Sequence, residues 1–215
     1  MKLLGALLLG ATIMVIAAGG AAVWMLHDYG RDLPDYHQLA DYAPPTVTRI
    51  HAGDGRLLAE YARERRVFVP IAAIPERVKQ AFIAAEDQHF YSHPGIDPIG
   101  ILRAALGNVE RLQNNLRPQG ASTITQQVAK NFFLDNEVSL GRKLKEAILA
   151  WRIEQAFTKD HILELYLNEI YLGNRSYGVA AAALNYFDKS LDQLTVSEAA
   201  FLGGVPKAPS RYDPR

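Results

Sequence analysis

No cysteine occurs in the chain, which removes disulfides, thiolate metal sites and cysteine nucleophiles together and leaves the redox compartment open. Net charge is lacking as well. Lysine plus arginine and aspartate plus glutamate both number 23 in 215 residues, so there is no global positive field to hold nucleic acid and no acidic tail. A nucleic-acid partner is not expected. Internal repeats are missing, and so is a P-loop signature, so no nucleotide is implied. Apolar residues are abundant, at 49%, which is ample for a packed core and excludes a disordered chain.

One uncharged run dominates the N-terminus, from Leu3 to Leu26, between Lys2 and the His27-Asp28 pair. At about 1.5 Å per residue it reaches roughly 36 Å, enough to cross a hydrocarbon core of about 30 Å with some tilt. The apolar region of a cleavable signal peptide is shorter, about 7 to 15 residues, so the run reads as an uncleaved single-pass anchor over residues 1–27. Lys2 and the α-amino group on one side, against Asp28 and Asp32 on the other, orient the remainder to the outside. Residues 28–70 read as a proline-bearing connector followed by a β-hairpin. There Val47 to His51 and Arg56 to Tyr61 flank Gly53-Asp54-Gly55, with Val67 to Val69 as a candidate third strand. From 71 to 215 the periods turn helical. Pro75 suits a first helical turn, Ser139 caps a helix through about Phe157, Thr158 or Asp160 starts one ending near Gly173, and Thr195 with Glu198 forms a capping box.

Three polar clusters interrupt the apolar pattern. Glu86 lies four residues after Phe82 and eight after Val78, so it continues the apolar stripe of its helix. A partly desolvated glutamate has the raised pKa a general base requires; the alternative is a buried carboxylate tied to a helix end or an arginine. His89 and His93 have the spacing of a helical metal pair, but Pro94 disfavours helix at His93 and no third ligand follows, so structural histidines are the better reading. The run Gly120 to Asn131 reads as a glycine turn and a Ser/Thr cap opening a helix. Ser122 and Lys130 could hold a phosphate there, or the segment is an ordinary capped helix. Arg142 and Glu146 stand one turn apart at the polar start of an otherwise apolar helix, either facing a cleft or forming a plain helical ion pair.

Two carboxylates in a cleft suit glycosidic chemistry, where positive charge develops at the anomeric carbon. Hydrolysis of a sugar–sugar bond needs an acid at the leaving oxygen, whereas a diphosphate leaving group needs positive charge. Lys130, Arg142, Lys143 and Lys145 supply that charge, which favours transfer from a sugar diphosphate.

The motifs Glu86-Asp87-x-x-Phe90-x-x-His93-x-Gly95-x-Asp97, Gly120-x-Ser122-Thr123-Ile124-Thr125-Gln126-Gln127, Arg142-Lys143-x-x-Glu146, Ile162-Leu163-Glu164-x-Tyr166-Leu167-Asn168 and Ala183-x-x-Tyr186-Phe187-x-Lys189 resemble, in order, the five motifs of glycosyltransferase family 51. The resemblance covers roughly residues 70 to 210. With the anchor, the hairpin and the ending Pro206-Lys207-Ala208-Pro209-Ser210, the chain looks like the start of a class A penicillin-binding protein. It implies a mainly α, lysozyme-like glycosyltransferase domain that polymerises lipid II into β-1,4-linked peptidoglycan strands on the outer face of the bacterial cytoplasmic membrane.

Carried over by position, the resemblance makes Glu86 the base for the acceptor 4-hydroxyl and Glu146 a second essential carboxylate. Ser122, Gln127, Lys130, Asn131, Arg142 and Lys145 match donor-site positions around the diphosphate, and Asp87 and Lys143 are assigned to substrate binding with them. The implied partners are lipid II, the growing strand, membrane lipids and other cell-wall synthesis proteins. A divalent cation, Mg2+ or Mn2+, is allowed beside the donor diphosphate; no organic cofactor and no protein-held metal are implied.

Two departures bear on this. Val138 stands where many members have an arginine reaching toward the diphosphate, so that grip is expected either to be weaker or to be supplied by Lys143. Asp188 stands where the fifth motif usually has glycine, which argues for a changed turn. No Ser-x-x-Lys occurs, so the transpeptidase of class A proteins is expected to be absent and the chain to be a fragment of a longer one. A membrane-tethered glycan hydrolase and an inactive precursor-binding fragment are the competing functions. The stretch from Ile99 to Leu116, with Arg103, Arg111 and Arg117, suits either a helix dipping into headgroups or ordinary core packing.

Overall fold

The computed structural model describes residues 2–209 except 32, 41, 43–47, 62–64, 115, 117–119, 136 and 138. Asp32, Val47, Arg117, Val138 and Ser210, which enter the sequence reading, lie outside the described residues. The architecture is mainly helical. Helix α1 (Lys2–Arg31) contains the uncharged run. Among the described residues no helix is long and apolar enough to cross a membrane. Strands β1 (Thr48–His51) and β2 (Leu57–Tyr61) pair antiparallel around the Gly53-Asp54-Gly55 turn. Gly55 sits at φ +84, where a side chain would be strained. The Asp54 carboxylate accepts the backbone N–H of Arg56 at 3.1 Å and its guanidinium at 2.6 Å.

Val67 to Val69 does not add a third strand to the hairpin. Strand β3 (Arg65–Arg66) lies just upstream and pairs in parallel with β4 (Ser176–Tyr177). The backbone of Val69 is held by a side chain instead. Asn168 accepts the N–H of Val69 at 2.8 Å and donates to its carbonyl at 2.9 Å, while Glu164 accepts the N–H of Ile71 at 2.6 Å.

The helices that follow are α2 (Glu76–Glu86), α3 (Pro98–Gln113), α4 (Ile124–Phe133), α5 (Leu140–Ala156), α6 (Lys159–Glu169), α7 (Val179–Phe187) and α8 (Val196–Gly204). Their starts follow local hydrogen-bond chemistry. Thr123 and Thr195 form reciprocal capping boxes with Gln126 and Glu198, and Ser139 and Thr158 accept from the third N–H of α5 and α6. Pro75 caps α2 from outside its first turn, and α6 ends at Glu169, short of Gly173 because Ile170 is extended.

The core is shared by α2, α4, α5, α6, α7 and α8. Val78 and Phe82, Ile124 and Val128, Leu149 and Ile153, nearly every apolar residue of α6, and Ala199 with Leu202 are buried in one cluster. Fully burying a side chain such as Phe82 contributes about 1.5–3 kcal/mol. Helices α2 and α8 are closely apposed because Gly203 lets the backbones approach; a β-carbon there would stand 2.8 Å from the carbonyl oxygen of Ala81. At the other end of the fold, α1 meets α5: Arg152 donates to the carbonyl of Gly30 at 3.2 Å, and the Tyr29 ring lies against Gly141.

Helix α3 is the exception, with no buried residue. Ile99, Leu102, Leu106, Val109 and Leu112 form one exposed stripe, each more than half exposed, so the core-packing alternative for this segment does not hold. Asp188 closes α7 in the left-handed conformation, φ 54 and ψ 40, the geometry glycine would favour. Aspartate is one of the few other residues that adopt it at modest cost.

Gly203→Val is expected to lower unfolding stability by about 1–3 kcal/mol through the clash with Ala81. Gly204→Ala, with nothing within 4 Å of its β-carbon, is expected to be neutral or to stabilise by a few tenths of a kcal/mol. Urea titration of both variants checks the contrast, and equal effects would remove the close-approach argument.

Candidate functional site

The site is built where α2 stops. Asp87 is buried and accepts three hydrogen bonds, two contacts from His93 Nε2 at 2.9 and 3.0 Å and the backbone N–H of Ile124 at 3.0 Å. His93 Nδ1 accepts the N–H of Gly95 at 3.2 Å, so the ring proton is on Nε2, facing Asp87. Gly95 has φ +90, and a β-carbon there would stand 2.7 Å from the carbonyl oxygen of Ala150. Thr123 Oγ1 donates to the Gly95 carbonyl at 2.6 Å. The first motif is thus mostly a brace that locks the end of α2 to the start of α4 and the middle of α5. His89 pairs with Asp97 at 3.1 Å. The N–H of Gly100 and then His89 hold the Asp97 carboxyl below its usual value. Both histidines are therefore engaged by carboxylates, and among the described residues no group of three or more His, Cys, Asp or Glu could hold a metal ion.

Glu86 is the last residue of α2 and is half-buried. Burial pushes its carboxyl up from the ordinary glutamate value. The amide of Gln127, donating at 2.7 Å, and the charge of Lys207 oppose that shift, while Asp87 adds to it. A carboxylate in this state is a base with one lone-pair region occupied and the rest open.

Glu86 lies on the wall of two adjoining pockets. The larger, about 580 Å³, is lined by Glu86, Gln127 and Glu146 together with Arg111, Lys130, Arg142, Lys143 and Lys207. The smaller, about 330 Å³, is lined by Glu86, Asp87, Gln88, His89, Asp97 and Arg103. Ser122 and Gly120 border both.

Glu146 is 2% exposed and is held by two cations, Arg142 at 3.0 Å and Lys143 in closer contact. A buried carboxylate so engaged fixes the positions of its partners and has no free face for proton transfer. Lys143 also donates to Ser122 Oγ at 2.8 Å, and the Arg142 guanidinium reaches back to the Glu137 carbonyl. The structure therefore brings together Glu86, Ser122, Gln127, Lys130, Arg142, Lys143 and Glu146. It does not bring Asn131 or Lys145 to the same cleft. Asn131 is exposed on α4, and Lys145 lines a separate pocket of about 230 Å³ with Tyr29, Asp135 and Ser139. Lys145 directly precedes Glu146 in the same turn but projects from a different side of α5, and a local motif does not tell the two sides apart. Asp87 touches the smaller pocket but is spent on the brace.

Lys207 and Arg111 are cleft residues that the polar clusters did not reveal. Lys207 follows α8, some sixty residues beyond Glu146, and only the packing of α8 on α2 carries it back to Glu86. Glu164 and Asn168, by contrast, belong to a motif whose side chains clamp the segment before α2.

A family model described as Transglycosylase matches residues 54–215, starting inside the hairpin. Penicillin-binding protein 1A of Rickettsia felis is 56% identical over 202 residues, which is 94% of this chain and 26% of that protein. Penicillin-binding protein 1A of Escherichia coli is 50% identical over 203 residues, 94% of this chain and 24% of that one. The chain thus spans about a quarter of the length of these curated relatives. A crystal structure of penicillin-binding protein 1A from Haemophilus influenzae aligns with a TM-score of 0.41 at 31% identity, over 80% of this chain and 16% of that one.

Because burial lifts the folded-state pKa of Glu86 above its unfolded value, the ionised carboxylate costs stability above that raised pKa, and the cost is relieved as pH falls through it. Glu86→Gln is therefore expected to unfold at higher denaturant than the parent at pH 7, with the advantage shrinking in acid. Lys207→Ala should move the Glu86 titration, followed by carbon-13 NMR, to higher pH; no movement would place Lys207 too far away to act on it.

Proposed function

We propose, for a chain that belongs to the transglycosylase family, that it is a peptidoglycan glycosyltransferase joining lipid II units into β-1,4-linked strands. The observation that carries this reading is the position of Glu86 on the shared wall of one strongly cationic cleft and one smaller polar pocket. The donor sugar diphosphate occupies the cationic cleft and the acceptor sugar the smaller pocket. Glu86 takes the proton of the acceptor 4-hydroxyl as that oxygen attacks the donor anomeric carbon. The bond from that carbon to the diphosphate breaks, and the α-linked donor becomes a β-linked product in one displacement. Lys130, Arg142, Lys143 and Lys207 face the departing diphosphate, where charge grows as the bond breaks and the interaction strengthens. Glu146 acts as a positioning residue that holds Arg142 and Lys143 at the cleft wall.

The same geometry argues against the hydrolase alternative. A retaining or inverting hydrolase needs two carboxyl groups that reach the sugar, and Glu146 is buried between two cations. The described residues do not fit a protein-held Mg2+ or Mn2+: Glu146 is occupied, Glu86 stands alone at the cleft, and the remaining lining groups there are mostly cations. No step is therefore routed through a metal.

A mainly helical core supports the lysozyme-like fold that the resemblance implies. The uncharged run from Leu3 to Leu26 supports a single-pass anchor with the cleft on the outer face of the cytoplasmic membrane. The exposed stripe of α3 supports an interfacial position, since lipid II carries its diphosphate at headgroup level and its chain in the bilayer.

Glu86→Gln should abolish strand synthesis from lipid II, since loss of a positioned base costs about 10²–10⁴ in rate, while leaving donor binding largely intact. Synthesis above half the parental rate on folded protein would take Glu86 out of the base role. Leu106→Glu with Leu112→Glu should weaken liposome binding of a chain lacking residues 1–26 and slow turnover in bilayers; unchanged binding and turnover would end the interfacial assignment.

A further inference from the structure

Tyr166, on α6, is the largest fully buried side chain of the core, and its hydroxyl is the only buried side-chain polar atom among the described residues without a hydrogen-bond partner. Folded proteins pair nearly all such groups, because an unpaired one gives up its water and gains nothing in return. The ring meets Phe82 edge-on with centroids 6.2 Å apart, one turn before Glu86 on α2. Burial, and after it the charges of Glu86 and Asp87, push the phenol well above the ordinary tyrosine value, so the group stays protonated and keeps a proton to donate. The two carboxylates that act on it differ in what they have left. Asp87 is filled by His93 and the N–H of Ile124. Glu86 takes the Gln127 amide on Oε2, while its Oε1 has no partner among the described residues.

We propose that Tyr166 is a positioning residue for Glu86: its hydroxyl donates to Oε1 as the acceptor binds, so that the carboxylate is held between Gln127 and Tyr166 with one lone pair aimed at the acceptor hydroxyl. The inference rests on the reading of Glu86 as the base. The tyrosine, packed on all sides, is the fixed member of the pair; the glutamate, at the edge of a cleft, supplies the movement through its side-chain torsions. Hydrogen bonds of catalytic groups commonly close only in the reaction complex. One bond at Oε2 leaves a carboxylate free to pivot, and a second bond from the core side decides which lone pair faces the cleft. Positioning at this level separates a reactive arrangement from one displaced by about an ångström.

Tyr166 keeps its own proton throughout. The proton of the acceptor hydroxyl passes to Glu86 and from there to solvent, and a donor that favours the ionised carboxylate helps that release before the next addition. The other charges around Glu86 are Asp87 beside it, Lys207 beyond α8, Lys130 on α4, Arg111 on α3 and the Arg142, Lys143 and Glu146 group on α5. Across the smaller pocket stand His89, Asp97 and Arg103. None of these changes in a Tyr166 variant, so a shifted pH profile in such a variant reports the lost or altered hydroxyl.

Strand synthesis from lipid II by the whole chain in bilayers, measured across pH, tests the assignment. Tyr166→Phe removes the oxygen and keeps the ring. It should lower kcat about tenfold with the KM for lipid II within about twofold of the parent. The acid limb of the kcat profile should move to higher pH, because loss of a donor to the ionised form raises the Glu86 pKa in the complex, while the acid limb of kcat/KM, which reports the free enzyme, should stay in place. Fluorotyrosine in place of Tyr166, a stronger donor of similar size, should move the kcat limb to lower pH. In urea, Tyr166→Phe should unfold at the same concentration as the parent or a higher one, since no existing bond is lost. An unchanged kcat and profile, or a lowered unfolding midpoint that accounts for the lost activity, overturns the role of Tyr166 while Glu86 remains the base. Full synthesis by Glu86→Gln would bring down both.

Discussion

The buried carboxylate of Asp87 accepts from His93 and from the first helical N–H of α4, so one side chain stops α2, fixes the turn that follows and sets the entry of the next core helix. Everything at the site is placed relative to that tie. Glu86 immediately precedes it, Gln127 is carried on the first turn of α4, and Thr123 both caps α4 and bonds the Gly95 carbonyl. A charged group this deeply buried is tolerated because every contact it makes is a hydrogen bond to a donor. Removing it would leave a histidine and a backbone N–H unpaired in the core, a far larger disturbance than loss of one contact.

The two remaining site carboxylates occupy opposite electrostatic situations, and this divides their work. Glu146 is neutralised by Arg142 and Lys143, which lets a carboxylate survive at 2% exposure and keeps two cations from repelling each other across the cleft. Glu86 receives one amide hydrogen bond and a more distant lysine charge, and burial lifts its pKa in spite of both. A single cleft thus holds a rigid cationic wall and a lone base whose proton affinity is raised. The cost appears as stability withheld at neutral pH, the usual exchange at a functional position.

The geometry also relates the site to the surface it works on. Helix α3 keeps its apolar stripe outside the core and its arginines toward the pockets, an arrangement with no benefit to a protein in water alone. At the other side of the cleft α5 meets the end of α1 through Arg152 and Gly30. A cationic cleft between these two elements lies where diphosphate headgroups would be found if α1 enters the bilayer.

Most of the local structure was legible from one dimension. Helix starts at Thr123, Ser139, Thr158 and Thr195 follow from hydroxyl caps, which act within three residues. Glu86 was marked by its place on the apolar stripe of α2, because a charge at a core-facing helical position is informative wherever it occurs. Contacts between distant segments were not legible. The segment just before α2 turned out to be held at Val69 and Ile71 by Asn168 and Glu164, and the pairing partner of β3, strand β4, lies over a hundred residues away. The division at the site runs the same way. Sequence spacing alone determined that Glu86, Arg142 and Glu146 share helical faces with particular neighbours, since that depends only on a period of 3.6 residues. Tertiary structure decided that Lys207 enters the cleft while Lys145 and Asn131 do not, because which face of a helix looks into a cavity is set by the elements packed against its other sides.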